Sequence, residues 1–261
     1  MKKSRGCVIM KYMEKEILIA KRVDKKIYRE GDKLIKLFDR NYSKSAVLNE
    51  ALNQSRVEET GLNIPKIDEV KLVDGKWAIV MDYIEGETLA DKIEKNPADT
   101  KAIMSDFIDL HLLVHSKKCT LLTKYKDKMI TKIMNCELDA STRYDLSICM
   151  NSMPMHNHLC HGDFIPSNIV ITKDGTPYIL DWAHASQGNA TADAAKTYLL
   201  LMMDKREDLA NEYVEQFLNK TGFNKEYIKA WIPLVSAAQL LTATPEKKIF
   251  LMSVINKYYE S

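Results

Sequence analysis

The chain has 261 residues, 46% of them apolar and 28% charged, with a formal net charge of +2. That length supports one large core or two modest ones, and the interspersed acids and bases leave no basic stripe for a nucleic-acid partner. No apolar run approaches the roughly 18 residues of a membrane span; the longest, YLLLMM at 198–203, reads as part of one buried helix.

The N-terminal MKKSRGCVIMKYMEK opens like a secretion signal, but its apolar stretch ends at Lys11. EILIA (16–20) predicts a short strand. KIYREGDKLIKLF (26–38) predicts two strands joined around Glu30-Gly31-Asp32, and DEVKLVDGKWAIVMD (68–82) repeats the device at Asp74-Gly75. Five antiparallel strands follow from this pattern. One helix is predicted between the third and fourth, with Ser43 or Ser45 as its cap and Ala46, Val47, Leu48, Ala51, Leu52 and Val57 as its apolar positions; Gly61 stops it and Pro65 lies beyond. After EGETL (85–89) the character changes. Residues 89–118, and nearly everything from 190 onward, carry the amphipathic helical period, and the hairpin NIVITKDGTPYILDW (168–182) interrupts them, turning at Asp174-Gly175. The expected class is α+β: a small antiparallel lobe with one helix over residues 1–82, a hinge at 83–88, and a larger helical lobe over 89–261.

The cysteines at 7, 119, 136, 149 and 160 are odd in number and form no CxxC pair. They read as reduced thiols of a cytoplasmic protein. His111 and His115 stand four apart on a predicted helix, but the glutamate of an H-E-x-x-H site is missing, so they read as a packed pair rather than zinc ligands. MHNH (155–158) has no acid or cysteine at ligand spacing.

Polar residues interrupt apolar segments at three places. Lys36 lies inside KLIKLF, on the face of Leu34 and Phe38, and needs a charged partner or a route to water. Glu50, within VLNEAL, is the partner the adjacent helix offers; a lysine snorkelling at a sheet edge is the other reading. In HGDFIPSN (161–168), Asp163 and Asn168 bracket the entry to the hairpin, and Asp181 closes it. Antiparallel pairing returns Asp181 to the neighbourhood of Asn168. Two carboxylates brought together want a cation between them, and hard oxygen donors suit Mg²⁺. The competing reading makes all three residues loop and helix caps.

H-G-D-F-I-P-S-N followed by I-L-D-W resembles the aminoglycoside phosphotransferase and choline kinase family, small-molecule relatives of the protein kinases, whose H-R-D-x-x-x-x-N has the same step from Asp to Asn. The resemblance runs in order from Tyr28 to Asp193. YREGDKLIKLF looks like the lysine strand, AVLNEAL like the helix carrying its glutamate, GLNIPKI like the approach to the fourth strand, AIVMDYIEGETL like the hinge, and Asp193 like the family's later aspartate. It implies a protein-kinase-like bilobal fold and transfer of the γ-phosphate of ATP to a hydroxyl of a small molecule. Asp163 would orient the attacking hydroxyl and take its proton. Asn168 and Asp181 would hold Mg²⁺, Lys36 would reach the phosphates with Glu50 aligning it, and the backbone of Asp82 and Ile84 would meet adenine with Met81 lining that pocket. His161 would be a packed scaffold residue, and Trp182 either a wall of the acceptor pocket or a core residue.

Three departures bear on this expectation. AKRVDKKIYR has no glycine to form a flexible phosphate cover, although Lys21, Arg22, Lys25 and Lys26 supply charge there. Ile165 stands where serine/threonine protein kinases carry a phosphate-binding lysine, and eleven residues between Asp181 and Asp193 leave no room for a long peptide-docking segment. Both of the latter favour an aminoglycoside-, amino alcohol- or sugar-like acceptor over a protein. Glu207, Asp208, Glu212 and Glu215 are candidates for a locally acidic acceptor cleft, and Trp182, Trp231 and several tyrosines for an aromatic cage. The missing glycines also leave a nucleotide-binding pseudokinase as the alternative, and the oligomeric state is not encoded in any pattern.

Overall fold

A computed structural model describes residues 17–260, so the signal-like N-terminus, Glu16 and Cys7 lie outside the described residues. The first third of the chain builds one antiparallel sheet from β1 (Ile17–Lys21), β2 (Lys25–Glu30), β3 (Lys33–Phe38), β4 (Ile67–Val73) and β5 (Lys76–Asp82), in the order β1-β2-β3-β5-β4. The β4–β5 turn is Asp74-Gly75, with φ of 50° and 75°. Positive φ at both central residues matches the right-handed twist of the strands, which is why Asp-Gly sits there.

The helix α1 (Lys44–Glu58) crosses between β3 and β4 and covers one face of this sheet. Phe38, Ile79 and Met81 pack there against Val47 and Ala51, whereas Ile35, Ala78 and Val80 bury on the opposite face. Lys36 pairs across the ladder with Ile79, which puts its side chain on the α1 side. Two details of α1 differ from the sequence expectation. Ser43 occupies the N-cap position without a side-chain capping bond, because its hydroxyl is shared with that of Ser45 at 2.7 Å. Leu48 and Leu52 are 42% and 47% exposed, and their places on the inner face are taken by Glu50, Asn53 and Gln54. Each of these polar residues has a partner: Gln54 donates to the Pro65 carbonyl at 2.6 Å, Asn53 to the Ala183 carbonyl at 3.0 Å, and Glu50 accepts from Lys36. Buried amides and charges are tolerated when so bonded.

From β6 (Gly86–Thr88) onward the chain is mostly helical: α2 (Leu89–Lys95), α3 (Thr100–Ser116), α4 (Tyr125–Met134), α5 (Ala140–Ser152), α6 (Ala190–Met203), α7 (Glu207–Thr221), α8 (Lys225–Leu240) and α9 (Pro245–Glu260). Thr88 and Asp91 form a reciprocal capping box that fixes where α2 begins. The predicted hairpin is present as β8 (Ile169–Thr172) and β9 (Pro177–Ile179), and β6 joins its outer edge. A second ribbon pairs β7 (His158–Cys160) with β10 (Ser186–Gly188). One continuous core runs through this lobe, with Phe107, Phe164, Trp182, Tyr213 and Phe217 among its largest members. Val57, Leu62 and Ile64 belong to that same core, so the end of α1 and the loop after it pack on the large lobe. YLLLMM lies within α6 as expected, with Leu199, Leu201 and Met203 inward. Among the described residues no helix is long and apolar enough to cross a membrane.

Candidate active site

The loop between β7 and β8 carries HGDFIPSN, and its shape is set by buried anchors. Gly162 has φ of +79°, and a Cβ built on it would lie 2.9 Å from the His184 carbonyl oxygen. Only glycine meets both demands. His161 is fully buried; its Nε2 donates to the Leu180 carbonyl at 2.9 Å and its Nδ1 accepts the Asp163 amide at 3.1 Å. It therefore serves as a scaffold that ties the loop to the end of the hairpin. Asn168 donates from Nδ2 to both the carbonyl and Oδ2 of Asp163, at 2.9 and 3.2 Å. Those two bonds fix which way the amide faces, leaving Oδ1 of Asn168 for another partner.

Beneath the loop lies Asp193, fully buried near the start of α6. Its carboxylate accepts the backbone N–H of His161 at 2.7 Å and of Gly162 at 2.8 Å, and it meets Nε2 of His111 at 3.1 Å and of His115 at 3.2 Å. Burial works against the charge, but His111 and His115 hold the acid well below the ordinary carboxylate range. Burial likewise lowers His111 to about 3, so its ring is neutral. His111, His115 and Asp193 lie close enough together to suggest a metal, but each Asp193 oxygen already accepts a backbone N–H and His111 Nδ1 meets the Tyr213 hydroxyl at 2.8 Å. With these contacts the cluster supports the loop from below.

Lys36 and Asp181 meet across 145 positions of sequence. The lysine donates to Glu50 Oε1 and to Asp181 Oδ1, both at 2.9 Å, and Lys25 approaches the other Glu50 oxygen at 3.7 Å. Burial disfavours the ammonium, yet Asp181 and Glu50 outweigh it and raise the lysine above its ordinary value. Asp181 is half-buried, which opposes its charge, but Lys36 and Lys25 hold its carboxyl below the usual range. The snorkelling alternative for Lys36 is thereby excluded; the side chain is paired and inward. Asp181 itself has φ of 60° and ψ of 67°. A non-glycine residue in that region is strained, and such strain collects at functional positions.

These elements open onto one cleft of about 630 Å³, lined by Arg22 and Lys25 from the small lobe and by Asp163, Asn168, Asp181 and Lys196 from the large one. Burial lifts the Asp163 carboxyl above its ordinary value despite the opposing effect of His161, and the charge of Asp181 adds to the rise. In the glycine-free segment, Arg22 and Lys25 line the cleft, whereas Lys21 and Lys26 do not. The oxygen donors near the hairpin, Oδ1 of Asn168 and Oδ2 of Asp181, are hard ligands of the kind magnesium takes.

Some expectations require correction. Trp182 is fully buried, donating to the Ile179 carbonyl at 3.0 Å and packing on His161, so it is core and not an acceptor wall. Trp231 is 2% exposed and joins the same core, which removes it from any aromatic cage. Glu207, Asp208, Glu212 and Glu215 stand on α7, outside the cleft lining. Apart from these corrections, Met81 of the hinge packs with Phe38 and Ile79, and Asp82 accepts from Lys33 at 3.1 Å. Sequence reasoning missed α4 altogether, and with it Lys128 and Lys132, which do line the cleft. The signal was the 3.6-residue spacing of Tyr125, Met129 and Ile133, all buried.

The solved structures that share this fold include aminoglycoside phosphotransferase APH(4)-Ia, which superposes with a TM-score of 0.72 at 12% identity, covering 98% of this chain and 97% of that one. A thermostable mutant of that enzyme, also at 0.72, is described as a ternary complex with ADP and hygromycin B. Choline kinase LicA from Streptococcus pneumoniae superposes at 0.59 with 16% identity, over 98% of this chain and 92% of its own. No curated protein sequence matches the chain. The family profile described as "APH: Phosphotransferase enzyme family" matches residues 24–231, spanning both lobes and every anchor described above, and the chain belongs to that family.

Proposed function

We propose that the protein transfers the γ-phosphate of ATP to a hydroxyl group of a small molecule. The observation that carries this reading is the meeting of Lys36, Glu50 and Asp181 at 2.9 Å beside a cleft that also holds Asp163 and Asn168. Phosphoryl transfer passes through a loose transition state, so catalysis rests on positioning and charge stabilisation. An assembled lysine–carboxylate pair supplies the first of these, and it speaks against the pseudokinase alternative.

The small lobe, through Asp82, holds the nucleotide in this reading. Lys36 contacts the α and β phosphates, Glu50 fixes its direction, and the backbone at Asp82 and Ile84 receives adenine, with Met81 behind it. Residues 83–88 form the hinge, and the remainder carries the acceptor. Asn168 and Asp181 hold Mg²⁺, which when bound neutralises charge on the triphosphate. Asp163 is the base. Its carboxylate takes the proton of the acceptor hydroxyl as that oxygen bonds to the γ-phosphorus, while the bond from that phosphorus to the β–γ bridging oxygen breaks and ADP leaves. The His161 ring and the Asn168 amide hold Asp163 at the geometry this needs. The structural relatives crystallised with ADP and hygromycin B support the choice of nucleotide and of a small acceptor.

The test is magnesium-dependent ADP release across hydroxyl compounds, comparing the native chain with Asp163→Asn. Loss of a positioned base costs about 10²–10⁴-fold in turnover, while ATP binding persists. Undiminished turnover in that variant removes Asp163 from the mechanism.

A further inference from the structure

The wall of the cleft that faces Asp163 from the helical lobe is basic. Lys128 and Lys132 stand one turn apart on α4, and Lys196 reaches the same cleft from α6. None of the three makes a salt bridge among the described residues. Lys128 donates only to the carbonyls of His184 and Ala185, both at 3.1 Å, and Lys196 donates to the side-chain oxygen of Gln239. The other acid on that wall, Asp204, is taken by Lys247 at 2.7 Å.

Three ammonium groups therefore crowd one wall with neutral acceptors only. Burial, together with the charge of Lys132, lowers Lys196 to about 7 against the opposing charge of Asp163, and lowers Lys128 to about 8. Such an arrangement is unfavourable until an anion enters it. A polycationic acceptor would enter against like charge. A quaternary ammonium would need open aromatic faces, whereas the tyrosines on the lining already pack on other rings, Tyr42 tilted against Phe38 and the buried Tyr125 edge-to-face with Trp231.

We infer that the acceptor is an anionic alcohol, a hydroxyl compound bearing a carboxylate or phosphate, whose anionic group is held by Lys128, Lys132 and Lys196 while its hydroxyl faces Asp163. This rests on the kinase reading above and narrows it. The small lobe has its own cations for the triphosphate in Lys36, Lys25 and Arg22, which frees the α4 and α6 lysines for the second substrate. The transfer is unchanged in its balance: the acceptor oxygen gains phosphorus and gives its proton to Asp163, and ADP departs.

The experiment measures ADP release with magnesium and ATP across sugar acids, sugar phosphates, matched neutral sugars, amino alcohols and aminoglycosides. Turnover of an anionic arm is expected, and which anionic arm responds separates carboxylate from phosphate. Lys132→Gln should raise KM for that acceptor about tenfold, as loss of a charge-assisted contact does, with KM for ATP unchanged. Its melting temperature should hold or rise, since a like charge is removed. Turnover confined to neutral or cationic acceptors would overturn the anionic class and leave the kinase reading standing. A rise in KM for ATP alone would assign the lysines to the nucleotide and overturn it equally. No transfer to any arm, with ATP bound, would remove both.

Discussion

Asp193→Asn keeps the size of a side chain that accepts from two backbone amides and two imidazoles, but it halves the accepting capacity and removes the charge. Its one remaining oxygen can serve either His161 or Gly162, at 2.7 and 2.8 Å in the native chain, not both. The new amide group must then face a buried donor. His111 can adapt by moving its ring proton to Nδ1, where the Tyr213 hydroxyl accepts it; the second backbone N–H has no such exit. Leaving one partner of a buried charged network unpaired costs about 3–5 kcal/mol. At about 2–4 °C per kcal/mol for a chain of this size, the melting temperature should fall by about 6–20 °C. Calorimetry on the native and variant chains checks this, with turnover measured well below either transition. Because the same amides shape the loop carrying Asp163, turnover should fall even where the variant is fully folded. A variant melting within a degree or two of the native chain would show that the four contacts do not anchor the loop.

Gly162→Ala forces a side chain into a left-handed backbone against the His184 carbonyl. The conformation alone costs about 1–2 kcal/mol, so a melt lowered by about 2–8 °C is expected, with a larger proportional loss of turnover. The Asp163 carboxyl, raised by burial, must be ionised to act as base. A free aspartate titrates near 3.9, so the acid limb of kcat/KM should lie above that value, the rate falling as pH drops through it; a profile flat down to about pH 4 would contradict the assignment. Lys36→Met leaves two carboxylates facing each other. In the native chain the depressed Asp181 contributes stability above the unfolded carboxylate pKa and loses it as pH falls through the folded value. The variant should lose that acid-side decline, seen as a flatter melting temperature between about pH 5 and 3.

The site was legible where a polar residue broke an apolar pattern. Lys36 within KLIKLF, and Asp181 at the end of ILD, stand out because a strand covered on both faces tolerates no unpaired charge. Asp163 and Asn168 were legible through hairpin geometry, which brings the Leu180 amide to the Asn168 carbonyl at 2.8 Å. Asp193 had no such signal. An acid in the first turn of a helix is ordinarily a surface feature, and its burial depends on two histidines from a distant helix. The basic wall was opaque for a related reason. Lysines on amphipathic helices usually face water, and only the packing of α4 and α6 turns Lys128, Lys132 and Lys196 into the cleft. The outward Leu48 and Leu52 of α1 reflect the same limit, since apolar period alone cannot tell which stripe meets the sheet when the inner one carries bonded amides.

The bond from Asn53 to Ala183, and the seating of Val57, Leu62 and Ile64 in the large-lobe core, fasten the far half of α1 to the body that carries Asp163. Many protein kinases are switched off by letting the corresponding helix rotate outward, which separates its glutamate from the lysine. Here that rotation would tear open a core and strip a buried amide of its partner. The lysine–glutamate pair is thus held by the packing of the large lobe as well as by its own sheet.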